Sequence, residues 1–177
     1  MQKALLLLSF SIVFFSAKAQ YTRGEVSNDS SIINSAKAFQ KKDFLLTVGL
    51  GYPGANSNTK LVFYTKAEYA MHKLFGVGVN YAYESLYFPY GGIVGVNTLL
   101  LRGNIHPLTT KKFDLYIGGG IGFHLIKYPT LSNKQNALVG AFDCTIGARY
   151  FLAKRIALYS EIGLAKTIIQ SGLTYKF

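Results

Sequence analysis

The chain has 177 residues and a strongly basic composition, with 19 Lys and Arg against 8 Asp and Glu and a formal net charge of +11. Half of its residues are apolar, yet after the N-terminal segment no run of about 18 apolar residues occurs, which excludes a spanning helix. The single cysteine, Cys144, excludes an internal disulfide.

The first predicted element in chain order is a signal peptide over residues 1–19. A basic start precedes a largely apolar segment over 4–15, and Ala17-Lys18-Ala19 has the small-x-small pattern of a signal-peptidase site. The apolar segment is short for a membrane span, so we expect cleavage before Gln20 rather than an uncleaved anchor. Residues 20–42 are polar, rich in Ser and Asn and without a period, which predicts a flexible periplasmic leader.

The remainder, residues 43–177, is predicted to form one domain. Stretches of about ten residues alternate between apolar and small or polar side chains, and short turn-like segments separate them. Their repetition is typical of a transmembrane barrel, whose even number of antiparallel strands leaves no unpaired edge in lipid. The predicted fold is therefore all-β, an eight-stranded antiparallel up-and-down transmembrane β-barrel. Its strands are expected at 44–52, 60–72, 75–87, 92–106, 113–126, 138–152, 156–165 and 168–177.

Residue parity indicates which face of each strand points outward. In the third predicted strand, Phe75, Val77 and Tyr81 alternate with Gly76 and Asn80, and the other strands show the same contrast. A soluble, lipocalin-like barrel would need the bulky face inside. Eight strands enclose too narrow a space for so many large side chains. The pattern therefore favours a membrane barrel with its bulky face toward lipid and a small, polar lumen.

Two stretches resemble a known family. RYFLAKRIALYSEIGLAKTIIQSGLTYKF is similar to the closing hairpin, and LLLRGNIHP to the fourth strand, of small outer-membrane β-barrel proteins of the OmpA/OmpX-like porin superfamily, particularly the versions common in Gram-negative Bacteroidetes. The resemblance covers residues 43–177 and implies a place in the cell outer membrane. In that family a C-terminal aromatic after alternating apolar residues resembles the signal read by the outer-membrane assembly machinery, and Leu173, Tyr175 and Phe177 occupy those positions.

The lumen-facing positions collect charges of both signs. Unpaired charges are costly in a narrow interior of low dielectric constant, so we expect these side chains to pair with one another. The expected result is a structural ion-pair network that plugs the barrel, and a gated polar path for ions or small solutes is the alternative. The predicted network comprises Lys66, Glu68, Glu84, Arg102, Asp114, Asp143, Arg149, Glu161 and Lys176.

No catalytic, metal or cofactor site is expected. Outer-membrane barrels that modify lipid A use a His with a Ser and an acidic partner near the extracellular rim, so His124 is the candidate for such an enzyme. No Ser lies beside His124 and Ser85 faces lipid by parity, so we favour a hydrogen-bonding role for the histidine. The glycines of 118–122 lack the Lys-Ser/Thr of a phosphate loop and are expected to leave room for long lumen side chains.

Much of the positive charge is predicted to lie at the periplasmic rim, at 41–42, Lys73, 111–112 and 154–155. Such a ring suits anionic phospholipid headgroups. Nucleic acid is not expected, because no base-reading groups accompany the charges. The predicted extracellular loops are short, which disfavours a dedicated adhesin, although they can contact lipopolysaccharide or an unidentified membrane-protein partner. The expected function is a non-enzymatic outer-membrane protein that supports envelope integrity or surface interactions.

Removal of Phe177, or its replacement with Ala, should reduce the amount of protein in the outer membrane far more than it lowers the unfolding midpoint in detergent. One lipid-facing ring contributes at most about 3 kcal/mol to the folded state, whereas recognition of the unfolded chain precedes all packing. Outer-membrane yield in cells and denaturant unfolding of refolded protein measure the two effects. Equal losses in both assays would mean that the ring serves packing alone.

Overall fold

The structure is a computed structural model that describes residues 37–53, 59, 61–88, 92–127, 136–164 and 167–177. The predicted signal peptide, most of the predicted leader and parts of the predicted extracellular loops lie outside the described residues. No helix in these ranges is long and apolar enough to cross a membrane.

Eight strands form a closed antiparallel sheet. Each strand pairs with the strands before and after it in sequence, and β8 pairs with β1 to complete the barrel. The prediction of an eight-stranded antiparallel up-and-down barrel is therefore confirmed, and the strand ends lie close to those expected. The strands are β1 (Phe44–Tyr52), β2 (Val62–His72), β3 (Phe75–Phe88), β4 (Gly92–Thr109), β5 (Phe113–Lys127), β6 (Asn136–Phe151), β7 (Ile156–Leu164) and β8 (Ile169–Lys176).

The outer face of the barrel is apolar. Along β1, Leu46, Val48 and Leu50 are exposed, whereas Leu45 and Thr47 are buried, as the two-residue period of a strand requires. Antiparallel pairing keeps this parity from strand to strand, so the exposed apolar residues form a continuous band around the sheet. A soluble lipocalin-like barrel would turn this face inward, and soluble monomers rarely expose apolar patches of such extent.

Both ends of the barrel domain lie at the same mouth of the barrel, which we call the terminus end; the opposite mouth is the loop end. The segment 37–43 packs across the terminus end. The Ala38 N–H donates to the Thr110 carbonyl at 2.8 Å, and the Lys42 N–H donates to the Ala70 carbonyl at 2.8 Å. The apolar residues that close this end are Ala38, Phe39, Leu45, Ala70, Phe151 and Ala157. Ala38 and Phe39 belong to the predicted leader, so its last residues contribute to the packed interior.

Glycine at position 147 makes room for a large ring. A Cβ at Gly147 would lie 2.6 Å from Glu161 Cγ and 2.6 Å from the Tyr116 hydroxyl oxygen, well inside van der Waals contact. Tyr116 is among the largest fully buried side chains. By contrast, Gly140 lies on the outer face of the same strand and has no atom within 4 Å of its Cβ position. The inward glycine therefore provides the volume that the tyrosine occupies.

Gly147→Ala should destabilise the barrel by about 1–3 kcal/mol, because overpacking forces the Tyr116 ring and Glu161 from their positions. Gly140→Ala is the matched control on the same strand, and its effect should stay within about 0.5 kcal/mol. Urea unfolding in detergent micelles, followed by circular dichroism, measures both. Equal effects for the two variants would show that the interior has space to spare at Gly147.

Candidate functional site

Seven of the nine predicted lumen charges meet in two adjoining clusters inside the barrel. The central cluster consists of Lys66, Arg102, Asp143 and Glu161. The terminal cluster, nearer the terminus end, consists of Glu68, His106, Asp114 and Arg149. These side chains project inward from strands β2, β4, β5, β6 and β7, so each cluster ties together strands on different sides of the lumen.

The central cluster is electrically neutral. Lys66 Nζ lies 2.6 Å from Glu161 Oε2, and Arg102 Nη1 lies 3.1 Å from Asp143 Oδ2 and 3.5 Å from Glu161 Oε2. The Tyr116 hydroxyl also donates to Glu161 Oε1 at 2.6 Å. Two cations and two carboxylates therefore balance, and both oxygens of the fully buried Glu161 are satisfied.

The terminal cluster is neutral if His106 carries a positive charge. Arg149 bridges the carboxylates of Glu68 and Asp114, with Nη1 3.2 Å from Asp114 Oδ2. His106 Nε2 lies 2.9 Å from Glu68 Oε1, and its Nδ1 lies 2.9 Å from Asp114 Oδ1. An ionised carboxylate only accepts hydrogen bonds, so both ring nitrogens must donate, which requires the imidazolium. Arg149 and His106 together then balance the two carboxylates.

Aromatic and amide side chains join the clusters into one unit. The Arg149 guanidinium carbon lies 4.2 Å from the centroid of the Tyr116 ring, whose hydroxyl reaches the central cluster. Asn104 accepts from Arg102 Nε at 2.9 Å and donates to Glu68 Oε1 at 2.7 Å. On the side of the terminus end, Phe39 stacks on His106 with ring centroids 3.5 Å apart. This ring covers the imidazolium and separates it from the mouth of the barrel.

The other two predicted network residues lie elsewhere. Glu84 is half-buried toward the loop end and accepts from Thr59 Oγ1 at 3.3 Å. Lys176 was predicted in the lumen network, but its Nζ lies 3.4 Å from Asp43 Oδ2 and 3.3 Å from the Ala38 carbonyl oxygen. It belongs to the closure of the terminus end, where its Nζ also lies 5.2 Å from the centroid of the Phe151 ring.

Several members of the clusters were missed at the sequence level. His106 was assigned only to the end of the fourth strand, and Asn104 and Tyr116 received no role. The signal that could have found them is parity, since Asn104 and His106 share the face of Arg102 on β4. Asp43 precedes the first strand, and no periodic pattern marks its pairing with Lys176.

The candidate catalytic histidine lies apart from these clusters. His124 Nδ1 is 2.7 Å from Thr98 Oγ1, and both residues face the lumen toward the loop end. Ser85 is exposed on the outer face, where its hydroxyl donates to the Tyr83 hydroxyl at 3.2 Å. His124 and Ser85 are thus on opposite faces of the barrel wall. Among the described residues no group of three or more His, Cys, Asp or Glu side chains could hold a metal ion.

Polar atoms line a small cavity in the lumen. A cavity between the central cluster and the loop end has a volume of about 10 Å³ open to the centre of a water molecule, which is roughly the room for one water. Asn80 Oδ1, Asp143 Oδ1 and Gln170 Oε1 belong to residues that line it and have no hydrogen-bond partner within the described ranges. The cavity therefore has polar groups in its lining but is too small for an organic substrate.

A closed eight-stranded barrel with an apolar exterior and an interior filled by paired charges has the architecture of small transmembrane β-barrel proteins. No family model matches the chain, and no curated protein matches it. Solved structures do match, and the matches establish the fold.

The N-terminal β-barrel domain of Pseudomonas aeruginosa OprF has a TM-score of 0.57 at 12% identity, over 78% of this chain and 98% of that one. A structure from the de novo design of transmembrane β-barrels has a TM-score of 0.58 at 19% identity, and the match covers 78% of this chain and 98% of the designed chain. The outer membrane protein OprG from Pseudomonas aeruginosa has a TM-score of 0.55 at 12% identity, and the match covers 78% of this chain and 97% of OprG. At such identities the likeness concerns architecture alone.

Glu161→Gln should destabilise the barrel by about 3–5 kcal/mol, because it leaves the central cluster with a buried, uncompensated positive charge. Glu84→Gln is the control, since Glu84 is half-buried and outside both clusters, and it should cost less than about 1 kcal/mol. Urea unfolding of both variants in phospholipid vesicles measures the difference. Similar small losses would contradict a structural role for the central cluster.

Proposed function

We propose that the chain is a non-enzymatic integral outer-membrane β-barrel protein, plugged by its interior ion pairs, that supports envelope integrity or interactions at the cell surface. The observation that carries the proposal is the filled lumen. Two neutral ion clusters span the interior, and the apolar residues around Phe39 cover the terminus end. Such an interior supports a structural role, because ion flow would require water where charged side chains already pair with each other.

The outer-membrane location rests on three supports. The band of exposed Leu, Ile, Val and aromatic side chains suits lipid. The fold is that of solved outer-membrane barrels. The N-terminal sequence has the pattern of a cleaved signal peptide. The terminus end then faces the periplasm. The two sequence stretches described above support an OmpA/OmpX-like barrel of the Bacteroidetes type.

The assembly machinery is the first proposed partner. Leu173, Tyr175 and Phe177 all lie exposed on the apolar face of the last strand. The Phe177 N–H donates to the Phe44 carbonyl at 2.9 Å, so the final ring sits at the seam between β8 and β1. A side chain that is exposed at the closing seam can serve recognition without a large contribution to the interior. Lipopolysaccharide and a membrane-protein partner at the loop end remain further proposals.

Reconstituted into planar bilayers, the protein should give no steady conductance, because the paired charges and the Phe39 ring occupy the path through the lumen. The same sample should migrate anomalously on unheated gels, which shows that a silent recording comes from folded barrels. Large, steady, ion-selective channels would contradict the plug and support the small-solute pore.

Cells with and without the protein should contain the same lipid A species, since Ser85, the serine considered as a partner of His124, is exposed on the opposite face of the barrel wall. Mass spectrometry of extracted lipid A measures this, and a His124→Ala strain is the matched control. An acyl-chain change that requires both the protein and His124 would overturn the non-enzymatic proposal.

A further inference from the structure

The acidic side chains of the barrel are all turned away from its outer surface. The sequence contains 8 Asp and Glu residues, and those within the described ranges are each buried or half-buried. They are Asp43, Glu68, Glu84, Asp114, Asp143 and Glu161. Because the lumen and the mouth of the barrel take up these carboxylates, the exposed lysines and arginines of the described ranges have no acidic partner beside them.

Most of the exposed cations lie at the terminus end. They occur in the segment before β1 and in the three turns that join β2 to β3, β4 to β5 and β6 to β7, so they surround the mouth. We call this set the cationic collar: Lys37, Lys41, Lys42, Lys73, Lys111, Lys112, Lys154 and Arg155. At the loop end, Lys127 is the exposed cation within the described ranges. Within the described ranges, the exposed cations are therefore concentrated at the terminus end.

Exposed apolar side chains adjoin the collar directly. Leu74 and Phe75 follow Lys73, and Leu152 and Ile156 flank the turn that carries Arg155. Arg155 Nη1 donates to the hydroxyl of Tyr175 at 3.3 Å. This contact lies where the charged turn meets the apolar wall, which is the outer face of the barrel. A ligand on the collar thus meets positive charge at one end and an apolar surface at the other.

We propose that the cationic collar selects anionic phospholipids from the membrane leaflet around the terminus end. An anionic phosphate head can contact the lysines while its acyl chains cover the adjoining wall, and each basic residue near a bilayer surface adds to the attraction. A soluble anion or a nucleic acid would use the charge of the collar alone, whereas a lipid contacts both the charge and the adjoining apolar wall. The inference rests on the proposed location in a membrane.

The test uses full-length, folded protein in vesicles of phosphatidylcholine that contain spin-labelled lipid. Electron paramagnetic resonance measures the fraction of label immobilised at the protein surface. Labelled phosphatidylglycerol should be favoured over labelled phosphatidylcholine by about threefold, and 1 M salt should reduce the preference because it screens the collar.

The variant Lys111→Ser, Lys112→Ser, Lys154→Ser and Arg155→Ser should remove about half of this preference, because it removes four of the eight cations of the collar. The matched control removes the same charge elsewhere in the chain. Lys127, at the end of β5, is changed to Ser together with Lys60, Lys134 and Lys166, which lie outside the described residues, and this variant should retain most of the preference. Mobility on unheated gels shows that each variant is folded.

Each other outcome has a distinct meaning. An immobilised lipid component without preference for phosphatidylglycerol would overturn the collar and leave the membrane location intact. Equal loss in the two variants would overturn it as well, since net charge rather than the terminus end would then be responsible. The absence of any immobilised lipid would contradict the proposed membrane protein itself.

Discussion

Charge neutrality inside a narrow barrel is the constraint on which the rest of this structure depends. Eight strands enclose a space that side chains fill, so every charge that points inward must find an opposite charge within a few ångströms. The central cluster meets this condition with Lys66, Arg102 and two carboxylates, and the terminal cluster meets it with Arg149 and a positively charged His106. Space for these long side chains comes from inward glycines such as Gly147.

The same constraint shapes the surface of the molecule. Carboxylates that are committed to interior pairs cannot balance the lysines of the turns. The strong excess of basic residues therefore appears on the exterior, where the exposed cations of the described ranges have no carboxylate beside them. The paired charges of the lumen and the excess positive charge of the rim therefore have the same cause, which is the placement of the acidic residues at inward-facing positions.

The fold was predictable because every strand meets the same two environments. Lipid on one side and a narrow lumen on the other impose a strict two-residue period, which repeats from β1 to β8 and marks both the strands and their faces. Parity cannot give the height of a residue along the barrel. For this reason Lys176 was grouped with the lumen charges, although its partner is Asp43.

The partners of individual charges could not be predicted from the sequence, because they come from strands that are distant along the chain. Lys66 and Glu161 are separated by 95 positions, and only the register of the closed sheet brings them to the same height. Phe39 shows a second limit. It lies in a polar stretch without a period, and its position on His106 follows from tertiary contact rather than from any local pattern.

The seam between β1 and β8 has a consequence for the order of events in folding. It places Leu45 opposite Lys176, so the contact that completes the sheet joins residues from the two extremes of the domain. Before β8 is available, β1 and β7 each present an open edge, and lipid offers those edges no hydrogen-bond partners. Closure must therefore follow synthesis of the final strand, and such long-range pairing is slow to form. During that interval the two edges lack partners, so a barrel of this topology cannot mature strand by strand as it emerges.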